Sequence, residues 1–440
     1  MTRFLGGIFL SAVLLSLLAE GSQYPDTGCA ASGKAIYFLS NNAENAVVAV
    51  PINPDGTLHD GTVTITGGTG SNAIDRGTNE TATPDALLSQ GALSIVGQHL
   101  FAVNAGSNTL TMMSISDSDP TKLSLVGKSV VVPGEFPNTV AASAKHQLVC
   151  VGTTGAKAGI SCSTYSPTNG LGEMDELRAF DLGQTTPPMG PVNTVSHTFF
   201  SADETRLLTT VKGDPSVNNT GFVSVFKVDA ARDGPSRLAA KDIRSSPMGT
   251  AVLFGTEQIP GTSSFFATDA SFGGAILSLD TETDKTFLIA NETVPDQQAT
   301  CWVTISPTTG TAFVTDPLTN HIVEMNITDA EVITDLHTDP YNAATGFIDL
   351  AAAGNFVYAL SPGNGTSEAA VMVLDVSGGP GSAKAIQNFG LGALGVGGNA
   401  QGMKVVQPEC AGRPNSRFKN TTSQENGESP KVPKCGKRKT

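Results

Sequence analysis

A short unit recurs along this chain: an apolar run, a polar loop, then an alternating run. It reads YFLSNNAENAVVAVPI at 37–52, LFAVNAGSNTLTMMSI at 100–115, LVCVGTTGAKAGISCSTY at 148–165 and LLTTVKGDPSVNNTGFVSVFKV at 207–228. It returns as FFATDASFGGAILSL at 265–279, AFVTDPLTNHIVEMNI at 312–327 and VYALSPGNGTSEAAVMVL at 357–374. Each copy reads as two strands joined by a loop, because period-two alternation bounded by turn residues is the strand signature. Successive copies start 45 to 63 residues apart, which leaves room for further strands such as TLHDGTVTIT (57–66) and KLSLVGKSVVVP (122–133). That spacing suits a four-stranded blade, and a lone blade cannot bury both its faces, so blades stack in a ring. The expected fold is all-β, a seven-bladed β-propeller. AQGMKVVQ (400–407) resembles the SQGALSIVG (89–97) that opens the second blade. It is expected to be a closing strand that completes the first blade near the C-terminus.

Three segments are expected. Residues 1–21 read as a signal peptide: Arg3, then the apolar LGGIFLSAVLLSLL (5–18), then the small residues of AEGS (19–22). Residues 22–410 are the propeller. Residues 411–440 lack apolar periodicity and read as a disordered basic tail. No later run is long and apolar enough for a membrane helix, so the expected protein is secreted, extracellular or attached to the cell wall, and monomeric. Asn79, Asn218, Asn291, Asn326, Asn364 and Asn420 each open an Asn-x-Ser/Thr triplet, consistent with a glycoprotein.

The six cysteines show no CxxC pair with metal spacing, and an oxidising route favours disulfides. A Cys29–Cys410 bridge would tie the two ends of the ring, and Cys150–Cys162 would staple a hairpin. Spacing alone leaves the connectivity open. No metal and no organic cofactor is expected. Between residues 22 and 410 there are 17 Lys and Arg against 37 Asp and Glu, a net of −20, within a total of −14 for the whole chain. So acidic a body repels phosphate backbones, which argues against nucleic acid as a partner.

The chain has no Gly-x-Ser-x-Gly elbow, no His-Glu-x-x-His and no phosphate-binding loop. GLGALG (390–395) matches the dinucleotide fingerprint in form, but a strand follows it where a helix is needed. His197, opening HTFFSADETRLL, is expected to start an inner strand at the channel mouth and to serve as acid and base. Arg244, just ahead of the fifth blade, is the expected carboxylate clamp. Asp214, Asp269, Asp316 and His321 lie in or beside loops expected to reach the same rim as substrate-binding groups.

The blade pattern, HTFFSADETRLL and NPDGTL (53–58) resemble the seven-bladed lactonase family, which includes carboxymuconate-lactonising enzymes and 6-phosphogluconolactonases. VNAGSNTLTMMSI, PGEFPNTVAAS, LVCVGTTGAKAGISC and GTAVLFGTEQIPGTSSFFATDASFGGAILSLD are similar to secreted fungal 3-carboxymuconate-cyclase-like glycoproteins, over about residues 34–407. The resemblance implies a histidine and arginines acting in the channel. The arginines are missing where they would be needed: SSPMGT (245–250) and DQQATCW (296–302) open the next two blades without one. The expected function is therefore an extracellular binding protein, adhesin-like or antigenic, that meets a host or extracellular surface protein with its loops. The alternative is a lactone-forming isomerase or lactone hydrolase acting on a small carboxylic acid or lactone in the channel.

Overall fold

Seven antiparallel sheets of four or five strands form the ring, with one parallel pair, Ile74–Asp75 and Met189–Gly190, outside them. The computed structural model describes residues 32–230, 235–337 and 346–407. All seven sequence units land on the second and third strands of successive blades. The reason is packing. Middle strands are covered on both faces by the neighbouring blades, so Phe356–Ser361 is buried at every position. Outer strands meet solvent on one face, and Lys384–Gly390 alternates accordingly.

The inner strands, from blade 1 to blade 7, are Gln401–Val405, Leu93–Val96, Pro137–Ser143, Val195–Phe200, Leu253–Gln258, Trp302–Ile305 and Ile348–Ala353. The first of these is the expected closing strand. It pairs antiparallel with Ala35–Leu39, with Tyr37 opposite Lys404. The chain's last described strand thus completes the sheet begun by its first, which leaves no open edge in the ring. GLGALG forms a 3-10 turn at Gly392–Leu394 leading into that strand.

Cys150 and Cys162 face each other directly across neighbouring strands of blade 3 and are joined by a disulfide. Among the described cysteines Cys301 is a free, buried thiol. Cys29, Cys410, Cys435, Asn420, the expected signal peptide and the basic tail lie outside the described residues. Asn79, Asn218, Asn291 and Asn364 are exposed, whereas Asn326 is half-buried and its Oδ1 accepts the Thr328 amide. Among the described residues no helix is long and apolar enough to cross a membrane.

One segment departs from the expected layout. Residues 84–91, just ahead of the second blade's inner strand, run across the ring's axis. The Pro84 carbonyl accepts from Gln401 in blade 1, and Ser89 Oγ donates to Asn138 O in blade 3. The Gln90 amide donates to Ser196 O in blade 4, and its side chain both donates to and accepts from Val303 in blade 6. Trp302 Nε1 also donates to Ser89 O. Ser89 and Gln90 are almost wholly buried. A segment bonded to blades on opposite sides of the ring has to fill the axis.

The inner strands are shaped to hold it. Those of blades 3, 4 and 7 each slip register once, skipping Asn138, Ser196 and Asp349. A bulged residue is freed from its ladder, so its polar groups turn to other partners. Asn138 binds Leu87 O and Ser89, Ser196 O takes the Gln90 amide, and Asp349 receives the Gly91 amide.

Candidate active site

His197 is the third residue of blade 4's inner strand, as expected, but it does not stand at the mouth where the inner strands begin. Residues 84–91 close that side, and the imidazole belongs to a cavity of about 310 Å³ lined mainly by the later halves of the inner strands. His197, Thr256, Glu257 and Lys404 line it from blades 4, 5 and 1, with Ser94 and Glu204. His197 is 6% exposed, and its Nδ1 lies 2.7 Å from Thr256 Oγ1. Its ring stacks on Phe199 at 5.5 Å between centroids. Gly91 (φ +81°) approaches from the crossing segment so closely that an added β-carbon would sit 2.9 Å from Nε2. Nδ1 is thereby fixed, and Nε2 has no hydrogen-bond partner among the described residues.

The electrostatics follow from burial. Desolvation, aided by the positive charge of Lys404, holds the His197 pKa well below the usual imidazole value. The ring is therefore neutral at neutral pH, and in the tautomer whose Nδ1–H donates to Thr256 Oγ1 the proton acceptor is Nε2. Burial raises the Glu257 pKa, and Lys404 opposes that rise. Asp349, which receives the Met403 amide at 3.0 Å, is pushed up to about 7 by burial. Among the described residues Lys404 makes no ion pair, so its ammonium is available to a ligand.

A second charged cluster lies beyond the crossing segment. Lys212, 1% exposed, donates from Nζ to Leu88 O at 2.6 Å and sits 4.1 Å over the Phe254 ring. Burial pulls its pKa down to about 8 and pushes that of Asp85 up to about 7, each group's charge opposing the shift of the other. Among the described residues Asp85 Oδ1 is buried with no hydrogen-bond partner. Leu88 itself is held at φ +57°, a costly conformation for a branched side chain.

The other expected site residues do not join His197. Arg244 is a correction: it lies on blade 4's outer strand Ile243–Ser245, bonded to Asp242 at 2.7 Å and packed over Phe180 and Phe222. Asp269 and Asp316 are also corrected, because their carboxylates are consumed by backbone amides. Asp269 takes those of Ala251, Val252 and Ser271, and Asp316 those of Gln298, Ala299 and Leu318. Each pins the turn leading into an inner strand, and neither has an oxygen to spare for substrate. Asp214 caps a 3-10 turn through Ser216 and pairs with Arg76 at 2.9 Å. His321 lies on blade 6's third strand beside Asp335, away from the channel.

Lys404 and Glu257 went unread in the sequence, although a signal was present. Both sit in inner strands, whose channel-facing side has no neighbouring blade to cover it. A charged residue inside QGMKV or LFGTEQ therefore points to the channel.

By sequence the chain matches no known protein family and no curated protein. Solved structures match the fold. The periplasmic gluconolactonase of Pseudomonas aeruginosa superposes with a TM-score of 0.59 at 13% identity, covering 84% of this chain and 99% of that one. A Bacteroides fragilis protein provisionally named a 6-phosphogluconolactonase gives 0.56 at 12% identity, over 85% and 98%. A hypothetical selenium-binding protein of Sulfolobus tokodaii gives 0.54 at 10% identity, over 85% and 94%. The chain is a seven-bladed β-propeller, and its neighbours include propeller lactonases. At these identities the likeness is one of fold.

Proposed function

We propose that the protein is an extracellular lactone hydrolase that takes a neutral or singly charged lactone into the His197 cavity. The observation that carries this reading is the convergence of a neutral imidazole, an ammonium with no ion pair among the described residues and a carboxyl of raised pKa on one cavity, from three blades. In the proposed reaction His197 Nε2 accepts a proton from water as the oxygen attacks the lactone carbonyl. The Lys404 ammonium stabilises the oxyanion that forms. As the ring C–O bond breaks, the His197 imidazolium gives the proton it took from water to the departing alkoxide, yielding the hydroxy acid and restoring the neutral ring, with the Glu257 carboxyl bordering the same cavity.

The same groups argue against a tricarboxylate such as carboxymuconate. Among the described residues no arginine lines the cavity, and one lysine faces Glu257 and Glu204. Three substrate carboxylates need bidentate clamps to offset their mutual repulsion. Work outside the cell is supported by the signal-like N-terminus, the exposed Asn-x-Ser/Thr sites and the Cys150–Cys162 bridge.

A second reading, an adhesin-like binding protein, rests on the opposite face. A depression of about 610 Å³ there is lined by Pro84, Pro317, Leu318 and Asn364, with Leu318 63% exposed. Proton release from D-glucono-1,5-lactone and from a panel of singly charged lactones separates the two. Wild-type turnover above the spontaneous rate, lost in His197→Asn, supports the hydrolase. Wild type and variant both at the spontaneous rate across the panel would remove it and leave the binding reading. Loss of the diene absorbance of 3-carboxy-cis,cis-muconate would instead restore the isomerase.

A further inference from the structure

We propose that His321, Asp335 and His337 form a binding site for a divalent transition-metal ion of the Zn²⁺ type, separate from the channel. Strand register places all three together. His321–Met325 and Val332–His337 are the third and outer strands of blade 6, and they pair antiparallel with His321 directly opposite His337. Asp335 stands two residues before His337, so the period of two puts it on the same face of the sheet. Ile322 and Leu336 point the other way, into the core shared with blade 7.

The donor atoms have already converged. His321 Nδ1 lies 2.8 Å from Asp335 Oδ1, and His337 Nε2 lies 3.7 Å from Asp335 Oδ2. One ligating atom from each residue falls within 4.8 Å of the others. Ligands about 2.0–2.2 Å from a tetrahedral zinc ion stand about 3.5 Å from one another, so small side-chain adjustments close the set. His337 is free to make them, with 74% of its side chain exposed, whereas His321 at 4% is held in place.

A second observation points the same way. Among the described residues His321 Nε2 is buried without a hydrogen-bond partner, and the ring's one polar contact is with Asp335 of the cluster. Two imidazoles and one carboxylate suit a borderline ion, whereas Mg²⁺ and Ca²⁺ call for oxygen ligands throughout. Three protein ligands leave the fourth position to water or to an incoming group. A bound ion would also clip the outer strand of blade 6 to its neighbour.

The test uses the untagged full chain, stripped with chelator and dialysed against buffered Zn²⁺. One tightly bound equivalent and a raised Tm are expected, with no rise from Mg²⁺ or Ca²⁺. The equivalent and the Tm rise should both vanish in His337→Ala, at an exposed position, and in Asp335→Asn, which keeps the size of the half-buried side chain and its contact with His321; circular dichroism without metal checks that both variants fold. Lactone turnover should be unchanged in both variants. Wild type that retains no zinc, or variants that retain as much as wild type, would overturn the site.

Discussion

Gly91 abuts the edge of the His197 imidazole, leaving no room for a side chain between the crossing segment and blade 4. Two features make Gly91 irreplaceable. Its φ of +81° disfavours any residue with a β-carbon, and that carbon would meet Nε2 at 2.9 Å. Gly91→Ala should therefore cost about 1–3 kcal/mol of stability. The displaced ring should also lose its contact with Thr256. Urea unfolding should show a lower midpoint at unchanged slope, and lactone turnover should fall more than expression does. A variant with wild-type midpoint and turnover would mean that the segment yields freely.

The depressed His197 pKa has a definite consequence for stability. The unfolded chain takes up a proton on this residue below about pH 6.5, whereas the folded state refuses it until well below that pH. The stability His197 contributes is thus complete above about 6.5 and is lost as the pH falls toward the folded value. Between about pH 7 and about pH 5 the unfolding free energy of His197→Asn should fall less steeply than that of wild type. Parallel curves for the two proteins would show that the imidazole titrates normally.

How much of this was legible beforehand depended on what each residue reports. The middle strands are apolar because both faces are covered, and that periodicity is written plainly at Phe356–Ser361 and in its six counterparts. The closing strand was readable through its likeness to 89–97. The crossing segment was not, because nothing local distinguishes a loop over the surface from one through the axis. Three of its anchors are single skipped residues, Asn138, Ser196 and Asp349, and a one-residue bulge leaves no mark on a period of two. The HTFF run marks His197 as an inner-strand residue, whereas the face from which it is reached depends on the crossing segment. Asp269 and Asp316 read as free carboxylates, whereas in the fold their lone pairs are taken by amides distant in sequence.

Lys404 and Arg244 make opposite predictions. Lys404 lines the cavity and lowers the His197 pKa by its charge, so Lys404→Met should move that pKa upward and weaken binding of singly charged lactones. The shift is readable from the imidazole C–H resonance across a pH titration. Arg244 is bonded to Asp242 on the outer strand, so Arg244→Ala should leave turnover and that titration unchanged. An equal effect from the two substitutions would contradict the placement of the cavity.

The Cys150–Cys162 bridge closes a short loop, with the two residues 12 apart in sequence, across directly paired positions. Cross-linking a loop of that size restricts the unfolded chain, so Cys150→Ala/Cys162→Ala should cost about 2–4 kcal/mol. Differential scanning calorimetry should show a lowered Tm with turnover at low temperature retained, since blade 3's second and third strands do not line the cavity. An unchanged Tm would indicate that the hairpin is held by packing alone.

Lys212 and Asp85 offer the sharpest test of the crossing segment. Lys212 holds Leu88 O at 2.6 Å, and its charge is the main opposition to the desolvation that raises Asp85. Lys212→Met keeps the volume over Phe254 but leaves a buried carbonyl unbonded and Asp85 without its counter-charge. The expected loss is about 3–5 kcal/mol, because removing one partner of a buried pair strands the other. Asp85→Asn in the same chain removes the stranded charge, so the double variant should recover part of that loss and the two effects should not add. Strict additivity in urea unfolding would show that the two groups do not sense each other. A strong coupling would make residues 84–91 an electrostatically locked floor for the cavity, fixing Gly91, and through it His197, from the far side.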